Sequence, residues 1–154
     1  MDTVLLPDAD AISKMLGSLL GRKVSVGAGD APDGAWAGRY ITRSETLAAV
    51  GIGDVRLVSM AGSALSMVPP GAAQAAADSG DPSEAMLENF HEILNVAASL
   101  IIDAGSDHVR LDGIAPADAL DEEAAALAAS GTTRRNFTVD IDGYGQGTLS
   151  FIAG

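Results

Sequence analysis

Apolar residues recur at spacings of three and four between Glu84 and Asp103. On a helix that advances ~100° per residue, Met86, Phe90, Ile93, Leu94, Ala97, Leu100 and Ile101 gather on one side. Glu84, Glu88, Glu92, Asn95, Ser99 and Asp103 form a strip on the other. The pattern predicts a long helix with a core face and a polar line opposite. Asp81-Pro82-Ser83-Glu84 supplies its start, with Asp81 as N-cap, a proline at the first helical position and an acid at the third. Gly105 closes it.

The same reading gives a first helix to about Leu20, capped by Asp8 or Asp10, with Ile12, Met15, Leu16 and Leu19 on one face and Gly21 at its end. "KVSVGAG" and "WAGRYIT" alternate as short strands around the turn-rich "DAPDG". "TLAAVGIG" and "VRLVSMAGSALSMV" are expected to be further strands, joined around Gly53-Asp54 and stopped at Pro69. "AAQAAAD" and "DEEAAALAAS" suit short helices, and "HVRLDGI" a strand. "RRNFTVDID" and "GTLSFIAG" form a hairpin around "GYGQ". Helix, strands, helices, strand, helix and hairpin in that order predict an α+β domain, a mostly antiparallel sheet covered by helices.

Composition sharpens this picture. A chain of 154 residues, 47% hydrophobic, suits one globular domain over residues 1–154 with a core built from Leu, Ile, Val, Met and Ala. No cysteine is present, which excludes disulfides and thiolate-bound zinc. No stretch resembles a secretory signal or a membrane span, so a cytoplasmic protein without membrane contact is expected. The net charge of −12 disfavours nucleic acid and anionic membranes as partners.

Charge gives the polar line a second meaning. A solvated helix face is the plain reading. Yet Glu84, Glu88 and Glu92 form two like-charged i,i+4 pairs with no basic residue beside them, each pair costing roughly 0.2–0.5 kcal/mol. Asn95 is a poor choice for a helix interior. The strip has the composition of a surface that awaits a cationic partner.

Glu92-Ile93-Leu94-Asn95 on a long helix, with Glu88 one turn earlier and Pro116 after a further strand, resembles the CheC/CheX/FliY family of chemotaxis phosphatases. The signature there is Asp or Ser, Glu four residues on, Asn three after that, then a later Pro. Only one such motif is present, and the likeness runs loosely over the whole chain, closest to CheX. The resemblance implies an α+β, CheC/CheX-like fold, a mostly antiparallel sheet with a long helix pair packed on it. It implies a phosphatase of an aspartyl-phosphorylated CheY-like response regulator, in chemotaxis or other two-component signalling. Glu92 would pair with the regulator's active-site lysine, and Asn95 would orient the attacking water. Glu88, Ser99 and Pro116 would contact the partner. No cofactor of its own is implied, since the partner receiver domain supplies Mg²⁺. A homodimer joined through sheet edges is also implied. Two positions depart from the pattern: Glu88 replaces Asp or Ser, and Leu94 stands where glycine is common. Leu94 points about 100° from Asn95, toward the core side.

Other signals carry less. His91 and His108 are not at metal-ligand spacing, so no metal site is expected. "DIDGYGQG" precedes a strand and lacks the acid that would close a calcium loop, so it reads as a turn. Trp36 and Tyr40 are expected in the core or a dimer interface, and Arg134-Arg135 in solvent. Two further readings stand beside the phosphatase: a catalytically silent CheX-fold module that binds receiver or flagellar-switch proteins, and a structural homodimer.

Overall fold

The computed structural model describes residues 4–30, 36–103 and 108–154. Helix α1 (Ala9–Leu20) starts where the Asp8 carboxylate accepts from the Ala11 N–H at 2.9 Å. It buries Ile12, Leu16 and Leu20, and ends at Gly21 in the left-handed region. Six strands are present: β1 (Val24–Ala28), β2 (Trp36–Thr42), β3 (Leu47–Gly53), β4 (Val109–Pro116), β5 (Thr133–Ile141) and β6 (Gly145–Ala153), with β2, β3 and β6 largely buried on both faces. They form one sheet in the order β1-β5-β6-β3-β2-β4, and every pairing is antiparallel. The β5–β6 hairpin turns through Asp142–Tyr144, with Ile141 opposite Gly145.

The segment "VRLVSMAGSALSMV" is not a strand. Its first eleven residues form helix α2 (Val55–Leu65). Asp54 starts it, one carboxylate oxygen accepting from the Leu57 N–H at 2.8 Å. The other oxygen accepts from the Thr148 hydroxyl at 2.8 Å, which ties the cap to β6. Every residue from Leu57 to Ala64 is buried, because α2 is enclosed by helix α3 (Pro70–Ser79), helix α4 (Glu84–Asp103) and β6. With Leu57 to Ala64 all buried, α2 shows no exposed polar stripe there, and a run of apolar and small residues fits a buried strand as well as a buried helix.

The long helix α4 is capped by Ser83, not by Asp81. The Ser83 hydroxyl accepts from the Met86 N–H at 3.2 Å, and its carbonyl from the Leu87 N–H at 3.0 Å. Asp81 belongs to the preceding turn, its N–H donating to the Ala76 carbonyl at the end of α3. Gly105 lies outside the described residues.

Helices α1, α2 and α4 cover one face of the sheet over the main core, where Tyr40, Phe90, Leu94 and Phe151 are fully enclosed. Helix α5 (Glu122–Ser130) covers the other face over a smaller core of Ala37, Val50, Ile52, Ala124 and Ile152. The long member of the expected helix pair is α4, 20 residues, beside the 11-residue α2.

Candidate functional site

The rotation of α4 about its axis decides which side chains reach solvent, and four contacts fix it. Phe90 lies over Gly53, where a Cβ would come within 2.8 Å of its ring. Leu94 lies over Gly38 and Gly51, where a Cβ would stand 2.8 and 3.4 Å from its methyls. The buried Tyr40 hydroxyl donates to the Leu94 carbonyl at 2.6 Å. Desolvation raises the Tyr40 phenol far above its ordinary pKa, so it stays a donor. On the α2 side the backbones nearly touch: a Cβ on Gly62 would sit 2.6 Å from the Met86 carbonyl oxygen. Leu94 therefore faces the core, as its place on the helix wheel predicts, and is fully buried.

With Phe90 and Leu94 held inward, Glu84, Glu88, Glu92, Asn95 and Ser99 all lie exposed on the outer ridge. The Ser99 hydroxyl turns back to donate to the Val96 carbonyl at 2.8 Å. The side chains of Glu88, Glu92 and Asn95 make no hydrogen bond or ion pair with any other described residue. The ion pairs lie elsewhere, at Lys14–Asp10, Arg39–Asp112, Arg39–Asp121, Arg110–Glu45 and Arg110–Asp112. A carboxylate and an amide, about one turn apart with Cβ atoms ~5–6 Å from each other, thus stand free to meet an external partner.

Pro116 stands apart from the ridge. It is exposed at the end of the edge strand β4, opposite Trp36, which in turn faces Gly53 beneath Phe90. This puts Pro116 at the Phe90 level of α4, two strands out, with no hydrogen bond to the ridge residues. Trp36 is half-buried and Tyr40 fully so. Arg134 and Arg135 are exposed, the first donating to the Ala128 carbonyl.

Sequence reasoning missed Asn89. Its amide donates to the Gly62 carbonyl at 2.8 Å and to the Ser66 hydroxyl at 2.6 Å, stapling α4 to the end of α2. The only hint in the sequence is a polar residue between the core face and the acidic strip. Among the described residues, no group of three His, Cys, Asp or Glu side chains could hold a metal ion. No described helix is long and apolar enough to cross a membrane.

An all-antiparallel six-stranded sheet with α4 laid across one face and α5 on the other belongs to a known α+β class. No family model matches the sequence, and no curated protein does, but solved structures do. FliM in the FliG–FliM complex from H. pylori superposes with a TM-score of 0.64 at 10% identity, over 94% of this chain and 85% of that one. FliY from Thermotoga maritima gives 0.60 at 12% identity, over 94% and 83%. The CheX–CheY–BeF₃–Mg²⁺ complex from Borrelia burgdorferi gives 0.55 at 13%, over 94% and 92%. The fold is therefore the CheC/CheX/FliY fold, as the sequence resemblance implied. FliM and FliY superpose more closely than CheX, so shape alone does not single out the CheX branch.

Proposed function

We propose that the protein is a phosphatase of an aspartyl-phosphorylated CheY-like receiver domain, with the α4 ridge as its working surface. One observation carries the reading: Glu92 and Asn95 are both exposed, one turn apart, and neither is engaged within the described chain. On this reading Glu92 pairs with a lysine at the receiver's active site. The Asn95 amide donates to a phosphoryl oxygen and accepts from a water, aligning it for in-line attack. The water oxygen bonds to phosphorus, the bond from phosphorus to the aspartyl oxygen breaks, and the water proton leaves with inorganic phosphate. The reaction needs positioning and charge stabilisation more than covalent chemistry. An amide and a carboxylate suffice if the receiver holds the Mg²⁺. Glu88 extends the acidic face and Ser99 borders it, while Pro116, at the sheet edge, would contact the partner separately.

The test is dephosphorylation of a phosphorylated CheY-like receiver with and without the protein, its Asn95→Ala variant and its Glu92→Lys variant. Acceleration by the wild type and a loss of about 10²-fold or more in Asn95→Ala is expected, by analogy with removal of one transition-state donor. Acceleration that survives Asn95→Ala would refute the assignment of the amide.

A second reading is favoured by the closer superposition on FliM, solved as a complex with FliG. The chain would then be a binding module for receiver or flagellar-switch proteins without phosphate turnover. Tight binding to a receiver with no acceleration of hydrolysis is its signature.

A further inference from the structure

We propose that Met67 is the apolar anchor of a docking surface whose other half is the Glu88–Glu92 ridge, and that this surface takes a protein carrying an apolar socket beside a lysine or arginine. The proposal rests on the reading of the ridge as a docking face and adds a specificity contact to it.

Three helices of the fold finish through a left-handed residue. For α1 and α3 it is a glycine, Gly21 at φ 65° and Gly80 at φ 73°. For α2 it is Met67, at φ 59°. The turn is closed by two hydrogen bonds, Met67 N–H to the Ala64 carbonyl at 3.1 Å and Val68 N–H to the Ser63 carbonyl at 2.9 Å. Glycine fills such a position without strain, and a residue with a Cβ does not. Nothing in the core repays the strain, because the Met67 side chain is 81% exposed, the most exposed large apolar group among the described residues. A strained backbone that displays a flexible, adaptable apolar side chain to solvent points to recognition.

Its neighbourhood names the chemistry of the partner. Ser66, the residue before Met67, accepts from the Asn89 amide at 2.6 Å. Asn89 follows Glu88 directly and stands about 60° around α4 from Glu92. Met67 thus follows directly on the residue that Asn89 grips, at the edge of α4 next to the acidic ridge. No lysine or arginine occurs on α4 and no described ion pair engages Glu88 or Glu92, so a lysine or arginine of a partner suits these carboxylates. An apolar contact at the centre, with charges beside it, is the arrangement in which truncating one side chain costs most of the binding.

The experiment measures dissociation constants for a CheY-like receiver loaded with beryllofluoride and Mg²⁺, using the wild type, Met67→Gly, Met67→Leu and Glu92→Lys, with thermal melts of each. Met67→Gly is expected to melt no lower than the wild type, since glycine accepts the left-handed backbone, yet to bind about tenfold or more weakly. Met67→Leu should keep binding close to wild type. If Met67→Gly binds like the wild type while Glu92→Lys weakens binding, the Met67 contact is refuted and the ridge stands. If Met67→Gly weakens binding and Glu92→Lys does not, the apolar anchor stands and its pairing with the ridge is refuted. A wild type that binds no such receiver refutes both readings.

Discussion

Replacing Tyr40 by Phe removes one hydroxyl from the centre of the molecule and tests how α4 is seated. The ring remains, still packed 6.2 Å from Phe151 between centroids, so volume is almost conserved. The hydrogen bond to the Leu94 carbonyl is lost. That carbonyl lies mid-helix and keeps its backbone partner, so no orphan acceptor is left and the net cost is about 1 kcal/mol. The pH dependence makes the test sharper. Burial raises the Tyr40 pKa in the folded state, whereas an unfolded tyrosine titrates near ~10. The stabilisation linked to this group is therefore fully present below about pH 10 and is lost as pH rises further, because only the unfolded chain releases the proton. At about pH 11 the unfolded state gains RT ln 11, roughly 1.4 kcal/mol, in the wild type and nothing in the variant. Urea denaturation of both proteins should show the wild type ahead by about 1 kcal/mol near pH 8, parity near about pH 10.6, and the variant slightly ahead by about pH 11. Groups common to both chains cancel in the difference. A gap that stays constant over this range would mean that Tyr40 ionises freely in the folded protein, and the seating of α4 on a buried phenol would be wrong.

Two further outcomes follow from the same helix. Gly62→Ala should destabilise by about 1–3 kcal/mol, seen as a lower urea midpoint, because the new methyl meets the Met86 backbone at 2.6 Å and a rigid main chain cannot yield as a side chain can. Glu88→Lys should raise stability by roughly 0.5–1 kcal/mol at low salt, by relieving two like-charge pairs, with the gain shrinking as salt is added. A loss of stability in that variant would show that Glu88 is satisfied within the fold and is not held ready for a partner.

Much of this architecture can be read from residue pattern, and the exceptions share a cause. Amphipathic elements such as α1 and α4 announce themselves because one face meets water and the other meets the sheet. Helix α2 is harder to read, since Leu57 to Ala64 are all buried by neighbours distant in sequence; a continuous run of apolar and small residues fits a buried strand as well as a buried helix. The cap of α4 was displaced by two residues because Asp81 and Ser83 both have capping side chains, and the end of α3 takes up the Asp81 N–H. The ridge of Glu88, Glu92, Asn95 and Ser99 was legible because solvent exposure on a helix depends only on angle. The staple at Asn89 and the left-handed Met67 were not, because each is defined by a partner or a backbone angle that only the tertiary structure supplies.

The strand order has a consequence for how the chain is made. Strand β6 is the keystone: it alone joins the pair β1–β5 to the trio β3–β2–β4. It is also the last of the six described strands in chain order, and β1, the first, pairs only with β5. During synthesis the helices that carry the ridge are complete while the sheet beneath them is still two unconnected halves. Gly51, part of the floor under Leu94, lies on β3, the strand that β6 completes. A chain lacking β6 would keep the ridge and its floor residues Gly38, Tyr40 and Gly51, but would leave β3 unpaired on one side and the Asp54 cap of α2 without its Thr148 partner, so the two halves of the sheet and the seating of α2 depend on one strand.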